Sequence, residues 1–248
     1  MSIAITERDR ALIRAAWSLG AATHATLRDL VSPDTQADTL RRRLRQLHRE
    51  RYLTQTRHVG PAGCIWLYGA GARTRRSGGA RSWRPGVAQL EHTLAVGEAV
   101  VAVTRAGFAA PVEVTGWQGE SELRSWAVLG EPFPDARVTW RVGEAESAWL
   151  VELDRGTESR AVWRRKLVRY LMADVREPVL ALTTSFQRAN ALALIAADVG
   201  VDVLATTLEA VRRSDDPEVI DATGGRRCRL SAACVARTSL AGAPVARL

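Results

Sequence analysis

The sequence predicts an α+β protein in two parts: a small helical domain closed by a β-hairpin, then an α/β domain on a mixed central sheet. Three observations carry this. Residues 1–71 hold three helical periodicities followed by two short alternating runs around a tight turn. A Gly-, Arg- and Ser-rich stretch without periodicity, "GARTRRSGGARSWRPG", then marks a basic linker, assigned to 72–87. Residues 88–212 read as α-β-β-β-α-β-α-β, three consecutive strands and then strands alternating with helices, which is the pattern of a mixed sheet flanked by helices. The 248 residues suffice for two cores. The remainder, 213–248, is a C-terminal extension with turn residues and no clear period, expected to form a hairpin and then fray.

In "TERDRALIRAAWSLG", Thr6 with Asp9 three residues on is a capping signature, apolar residues follow at helical spacing, and Gly20 stops the helix. Thr23 starts a short second helix that ends at Ser32-Pro33. A third runs from about Asp34 to Arg51, with Leu40, Leu44 and Leu47 as its apolar stripe and Arg41, Arg42, Arg43, Arg45 and Arg49 mostly off it. "YLTQTRHV" and "CIWLYGAG" read as two strands around "GPAG". Three helices and a hairpin are the order of a winged helix-turn-helix, in which the third helix enters the major groove and the hairpin touches the backbone. Double-stranded DNA is therefore the expected partner, contacted by Arg41, Arg42, Arg43, Arg45, Arg49 and, on the hairpin, Arg57. The competing reading is a solvated charged face or a protein docking module.

The net charge of +8 points the same way, towards a polyanion. The longest apolar runs are broken by Asp198 and Asp202, so no membrane helix is expected, and "MSIAITERDR" lacks the apolar core of a signal peptide. A cytoplasmic protein associated with nucleoid or plasmid DNA is the expectation. Cys64, Cys228 and Cys234 are widely spaced and show neither a zinc pattern nor a disulfide framework.

The second domain carries the candidate chemistry. Pro134-Asp135 opens one strand, and Glu152 and Asp154 close the next, two apart and so on one face. Clustered carboxylates repel unless a divalent cation or basic groups sit between them. In the following helix, Val162, Trp163, Lys166, Leu167 and Tyr170 fall on one side, and Arg164, Arg165 and Arg169 mostly on the other. Lys166 is the sole lysine among 35 basic residues, and it lies in the apolar stripe, aimed at the sheet and its carboxylates. Two carboxylates and a lysine around a Mg²⁺ or Mn²⁺ ion, held by Asp135 and Glu152, would hydrolyse phosphodiesters, with Asp135, Glu152, Asp154 and Lys166 as the catalytic set. A structural ion pair fixing helix to sheet explains the same residues. Thr157 is the expected N-cap of that helix, and Gln187 and Arg188 sit where they could grip a phosphate or simply be solvated.

These words, in this order, resemble the PD-(D/E)XK nuclease superfamily: "PD" at Pro134-Asp135, and "ELD" where the family has (D/E)XK, with Asp154 in place of lysine and Lys166 placed for the lysine carried on the next helix. Glu91 or Glu98 would correspond to that superfamily's helix glutamate. More narrowly, "PDARV", "ELDRGTES" and "RRKLVRY" resemble the replication-relaxation family of plasmids and mobile elements, over about residues 6 to 210. That resemblance implies a winged helix joined to a restriction-endonuclease-like domain, a role in replication or DNA relaxation, and a nicking endonuclease activity if the site is active. The alternative is a non-catalytic winged-helix regulator that uses a degenerate nuclease fold to bind DNA or to form a homodimer.

Overall fold

The computed structural model describes residues 3–60, 63–77, 87–105, 112–126 and 132–241. The chain divides into two compact units, 1–101 with 118–127, and 102–117 with 128–248.

The first unit opens with α1 (Glu7–Leu19), whose capping box is complete: the Thr6 hydroxyl accepts from the Asp9 N–H and the Asp9 carboxylate accepts from the Thr6 N–H. Strand β1 (Ala22–Thr23) leads into α2 (His24–Val31), capped by Thr23, and then α3 (Ala37–Arg49). Leu40, Leu44 and Leu47 bury the inner face of α3, as their spacing requires. The hairpin of β2 (Leu53–Gly60) and β3 (Gly63–Ala70) pairs antiparallel, and β1 adds to β3, giving the sheet order β1-β3-β2. The two-residue β1 is invisible to periodicity.

Residues 72–77, expected within a linker, form the short helix α4 (Ala72–Ser77), anchored where the Thr74 hydroxyl donates to the Tyr52 carbonyl. The rest of that expected linker, 78–86, lies outside the described residues. Helix α5 (Val87–Arg105) and strand β4 (Val112–Gly119) each cross from one unit to the other. Helix α6 (Glu120–Trp126) packs in the first unit, where its buried Glu122 accepts from the Ser18 hydroxyl at 2.7 Å and from Arg14.

The second unit is organised by a mixed sheet in the order β10-β9-β8-β7-β6-β5-β4. Its strands are β5 (Ala136–Val142), β6 (Ala145–Asp154), β7 (Val179–Thr183), β8 (Val203–Thr207), β9 (Glu218–Asp221) and β10 (Arg226–Arg229). β5 and β6 form an antiparallel hairpin, whereas β6, β7 and β8 run parallel through α7 (Arg160–Met172) and α8 (Phe186–Val199). β7 and β8 are buried throughout, which is why they read as continuous apolar runs. One sheet face packs Leu150, Val179, Ala181, Val203 and Ala205 against Trp163, Leu167 and Tyr170 of α7 and Leu192 and Ala196 of α8. Trp140 and Trp149 meet edge to face, both fully buried.

The C-terminal extension forms the expected hairpin, but it joins the sheet, and over Leu230–Ala241 the expected fraying gives way to α10, while 242–248 lie outside the described residues. That correction has a local cause: α10 is held by Ser231 on Asp216, and by Arg237, which donates to both Asp202 and Asp221. None of these partners is close in sequence. Short α9 (Leu208–Arg213) connects β8 to β9.

Candidate functional site

In the second unit, the β5–β6 register pairs Ala136 with Val151, and one more step sets Asp135 across from Glu152. The Asp135 carboxylate accepts from the Leu153 N–H at 2.8 Å. Glu152, the next carboxylate, is fully buried on the sheet face that carries Leu150. Lys166 comes down from α7 and donates to its Oε2 at 2.8 Å, and the Tyr170 hydroxyl donates to its Oε1. Lys166 also lies 3.6 Å from Glu158 and over the face of Trp163, at 5.5 Å from the ring centre. Trp163, Lys166 and Tyr170, spaced three and four apart on α7, reach inwards with Leu167, and Arg164, Arg165 and Arg169 are exposed.

Asp154 takes another partner. Its carboxylate accepts from Arg188 of α8 at 2.5 Å and from the Gly156 N–H at 2.7 Å, and Arg188 also donates to the Glu158 carbonyl. The expectation that Lys166 serves both carboxylates of β6 is thus corrected: α7 reaches Glu152, and Asp154, one pleat period further, lies under α8. Arg188, read as phosphate-gripping or solvated, is committed within the fold. Gly156 turns the chain at φ +80°, a conformation that suits glycine. The N-cap of α7 is Ser159, whose hydroxyl accepts from the Val162 N–H, not Thr157. Glu91 and Glu98 lie on the stretch of α5 that belongs to the first unit.

Burial, followed by the nearby Asp135 charge, raises the Glu152 carboxyl to about 7, with Lys166 and Tyr170 opposing the rise. Burial alone would lower the Lys166 ammonium, but the Glu152 and Asp135 charges outweigh it and hold it above the ordinary lysine value. Burial and the Glu152 charge push the Tyr170 hydroxyl up, so it stays a neutral donor.

A Mg²⁺ or Mn²⁺ ion takes oxygen ligands with free lone pairs, usually one or two carboxylates with waters. In this arrangement each Glu152 oxygen accepts from a buried donor, Asp135 holds a backbone N–H, and Asp154 is held by Arg188. Among the described residues, no group of three or more His, Cys, Asp or Glu side chains is placed to share a metal. As arranged, these residues do not fit the ion.

The first unit carries a different surface. Arg42, Arg45 and Arg49 lie at helical spacing on the exposed face of α3, opposite the buried Leu40, Leu44 and Leu47. None of the three has a carboxylate within salt-bridge distance among the described residues. Arg41 is exposed and pairs with Asp38 at 2.9 Å, and Arg57 is exposed on β2. Arg43, expected on the same DNA-facing set, is corrected: it donates to buried Asp9 through Nε at 2.8 Å and Nη2 at 2.5 Å, to the Ala4 carbonyl and to Gln46. Burial would raise the Asp9 carboxyl, but hydrogen bonds from Arg43 and Thr6 prevail and hold it down at about 2. Arg43 therefore ties α3 to α1. His24 and His48, read as surface or phosphate-contacting, bond the carbonyls of Ala37 and Leu53.

The class these features define is a two-unit α+β protein with an exposed arginine row on one helix and a buried carboxylate–lysine–tyrosine cluster on one face of a mixed sheet. The chain belongs to the replication-relaxation family, whose model matches residues 17–175. The match spans both the arginine row and the cluster. Neither a curated protein nor a solved structure matches the chain. Among the described residues no helix is long and apolar enough to cross a membrane.

Proposed function

We propose that this chain binds double-stranded plasmid or mobile-element DNA and acts in its replication and relaxation. In this reading the first unit is a winged helix-turn-helix, and the second a restriction-endonuclease-like fold kept as a scaffold. The carrying observation is the row of Arg42, Arg45 and Arg49, exposed and without carboxylate partners among the described residues on a helix whose other face is core. Such a row costs self-repulsion and gains only from a polyanion laid along it. Arg41 and Arg57 extend the same charge. Family membership supplies the process, and the net charge of +8 supports the partner.

The Glu152–Lys166–Tyr170 cluster is, in this proposal, a tie that fixes α7 to β6. A second reading keeps a specific observation behind it: Asp135, Glu152 and Lys166 do come together at the strand ends, as a phosphodiesterase site requires. Supercoiled plasmid incubated with purified protein and Mg²⁺ or Mn²⁺ separates the two. The expected result is a mobility shift without nicking. Nicking that disappears in an Asp135→Ala, Glu152→Ala double variant would establish the nuclease reading instead, and absence of any shift would remove the DNA-binding proposal.

A further inference from the structure

A groove of about 630 Å³ opens beside the arginine row, between α3, the start of α2 and the hairpin. Its walls combine two chemistries. Arg41 and Arg45 of α3 supply guanidinium groups on one side; Trp66, Tyr68 and Ile65 of β3 supply an aromatic and apolar wall on the other. Trp66 is 50% exposed, although a tryptophan on a short hairpin would ordinarily be covered. The register sets it directly across from Arg57, and two pairs further along sets Tyr68 across from Gln55. Arg41 and Arg45 line the same groove as Tyr68; burial raises the Tyr68 hydroxyl, and the Arg45 and Arg41 charges draw it back. His24 also lines the groove; burial lowers its pKa, and its Nε2 meets the Ala37 carbonyl.

An apolar slot with an exposed indole and one cationic wall does not suit a duplex backbone, whose bases are stacked away. It suits a flat, hydrophobic ring against the aromatic wall with its joined phosphates towards the cationic wall, the chemistry of an unstacked nucleotide. We infer that this groove binds a segment of single-stranded DNA, with a base stacked on Trp66 and the adjoining phosphates held by Arg41 and Arg45. The inference rests on the DNA-binding reading and goes beyond it. A protein acting where duplex is opened would thereby hold the separated strand next to the helix that holds the duplex.

The test uses the full chain and fluorescence anisotropy with a labelled oligonucleotide, offered single-stranded and as the matching duplex. Trp66→Ala is expected to weaken single-strand binding about tenfold, the loss of one stacked base. Trp66→Phe, which keeps an aromatic face, should stay within about twofold of wild type on the same scale. Duplex affinity should be unchanged in both. An unchanged single-strand affinity in Trp66→Ala, or an equal loss on duplex, overturns the inference. Arg42→Ala with Arg49→Ala, outside the groove, tests the underlying reading separately. Loss of duplex binding there supports that reading, and undiminished duplex binding overturns it whatever Trp66 does.

Discussion

Replacing Lys166 by methionine keeps most of the stem and removes the ammonium from Glu152. Glu152 has no exposure and would keep only the Tyr170 hydroxyl. Breaking a fully buried ion pair from one side costs about 3–5 kcal/mol. The Lys166 side chain is 26% exposed, so water reaches its end, and about 2–3 kcal/mol is the better expectation. For a protein of this size that lowers Tm by roughly 4–12 °C. The loss depends on pH. The Glu152 pKa in the folded chain is raised, so its contribution to stability is complete below the unfolded value of 4.5 and is lost as pH climbs through about 7. Without the ammonium that pKa rises further. The variant should therefore be most destabilised at about pH 8, and at about pH 5, where the carboxyl is protonated in both proteins, the difference should shrink to about 1 kcal/mol. Urea unfolding followed by near-ultraviolet circular dichroism reads this, because Trp163 lies beside Lys166. Glu152→Gln with Lys166→Met should recover at least half of the loss, since no uncompensated charge remains. A single variant within about 0.5 kcal/mol of wild type at both pH values would refute the buried tie.

Tyr170→Phe leaves one oxygen of Glu152 without its buried donor and should cost about 1–3 kcal/mol in the same urea assay. Asp9→Asn removes the charge that Arg43 holds. The wild-type carboxyl is lowered to about 2, so its contribution is present above about 3.8 and is lost as pH falls through about 2. Acid unfolding of the Asn variant should show a slope shallower by an integrated ~2 kcal/mol over that window. Arg43→Ala should lower thermal stability while leaving the salt dependence of DNA binding intact, and a changed salt slope would return Arg43 to the DNA face.

Much of the local structure was legible because its causes are local. Thr6 and Asp9 announce the cap of α1, the three leucines of α3 announce its inner face, and helical phase alone separates Lys166 from Arg164, Arg165 and Arg169. The meeting of Lys166 with Glu152 follows from that phase and from packing α7 on the sheet. What stayed hidden was the choice among similar partners. Five arginines stand on α3, and only tertiary packing shows that Arg43 faces Asp9, 34 positions away. Asp154 finds Arg188 at the same separation, on a helix whose place over the sheet the sequence leaves open. Tyr170 was visible on the inward stripe of α7, but its hydroxyl's partner was not. Trp66 alternates like any strand residue, and nothing in that alternation shows that it stays half exposed. The C-terminal helix lacks strong periodicity and is fixed by Arg237 and Asp216, contacts with no signature in sequence.

The central claim is that the exposed arginine row on α3 holds duplex DNA. The most direct measurement is duplex affinity against salt for wild type and for Arg42→Ala with Arg49→Ala. Each lost phosphate contact removes about 0.9 from the slope of log K against log salt, so the double variant should lose about 1.8, with a weakening of roughly fiftyfold at 0.1 M salt that closes towards 1 M. Superimposable salt curves for the two proteins would contradict the account.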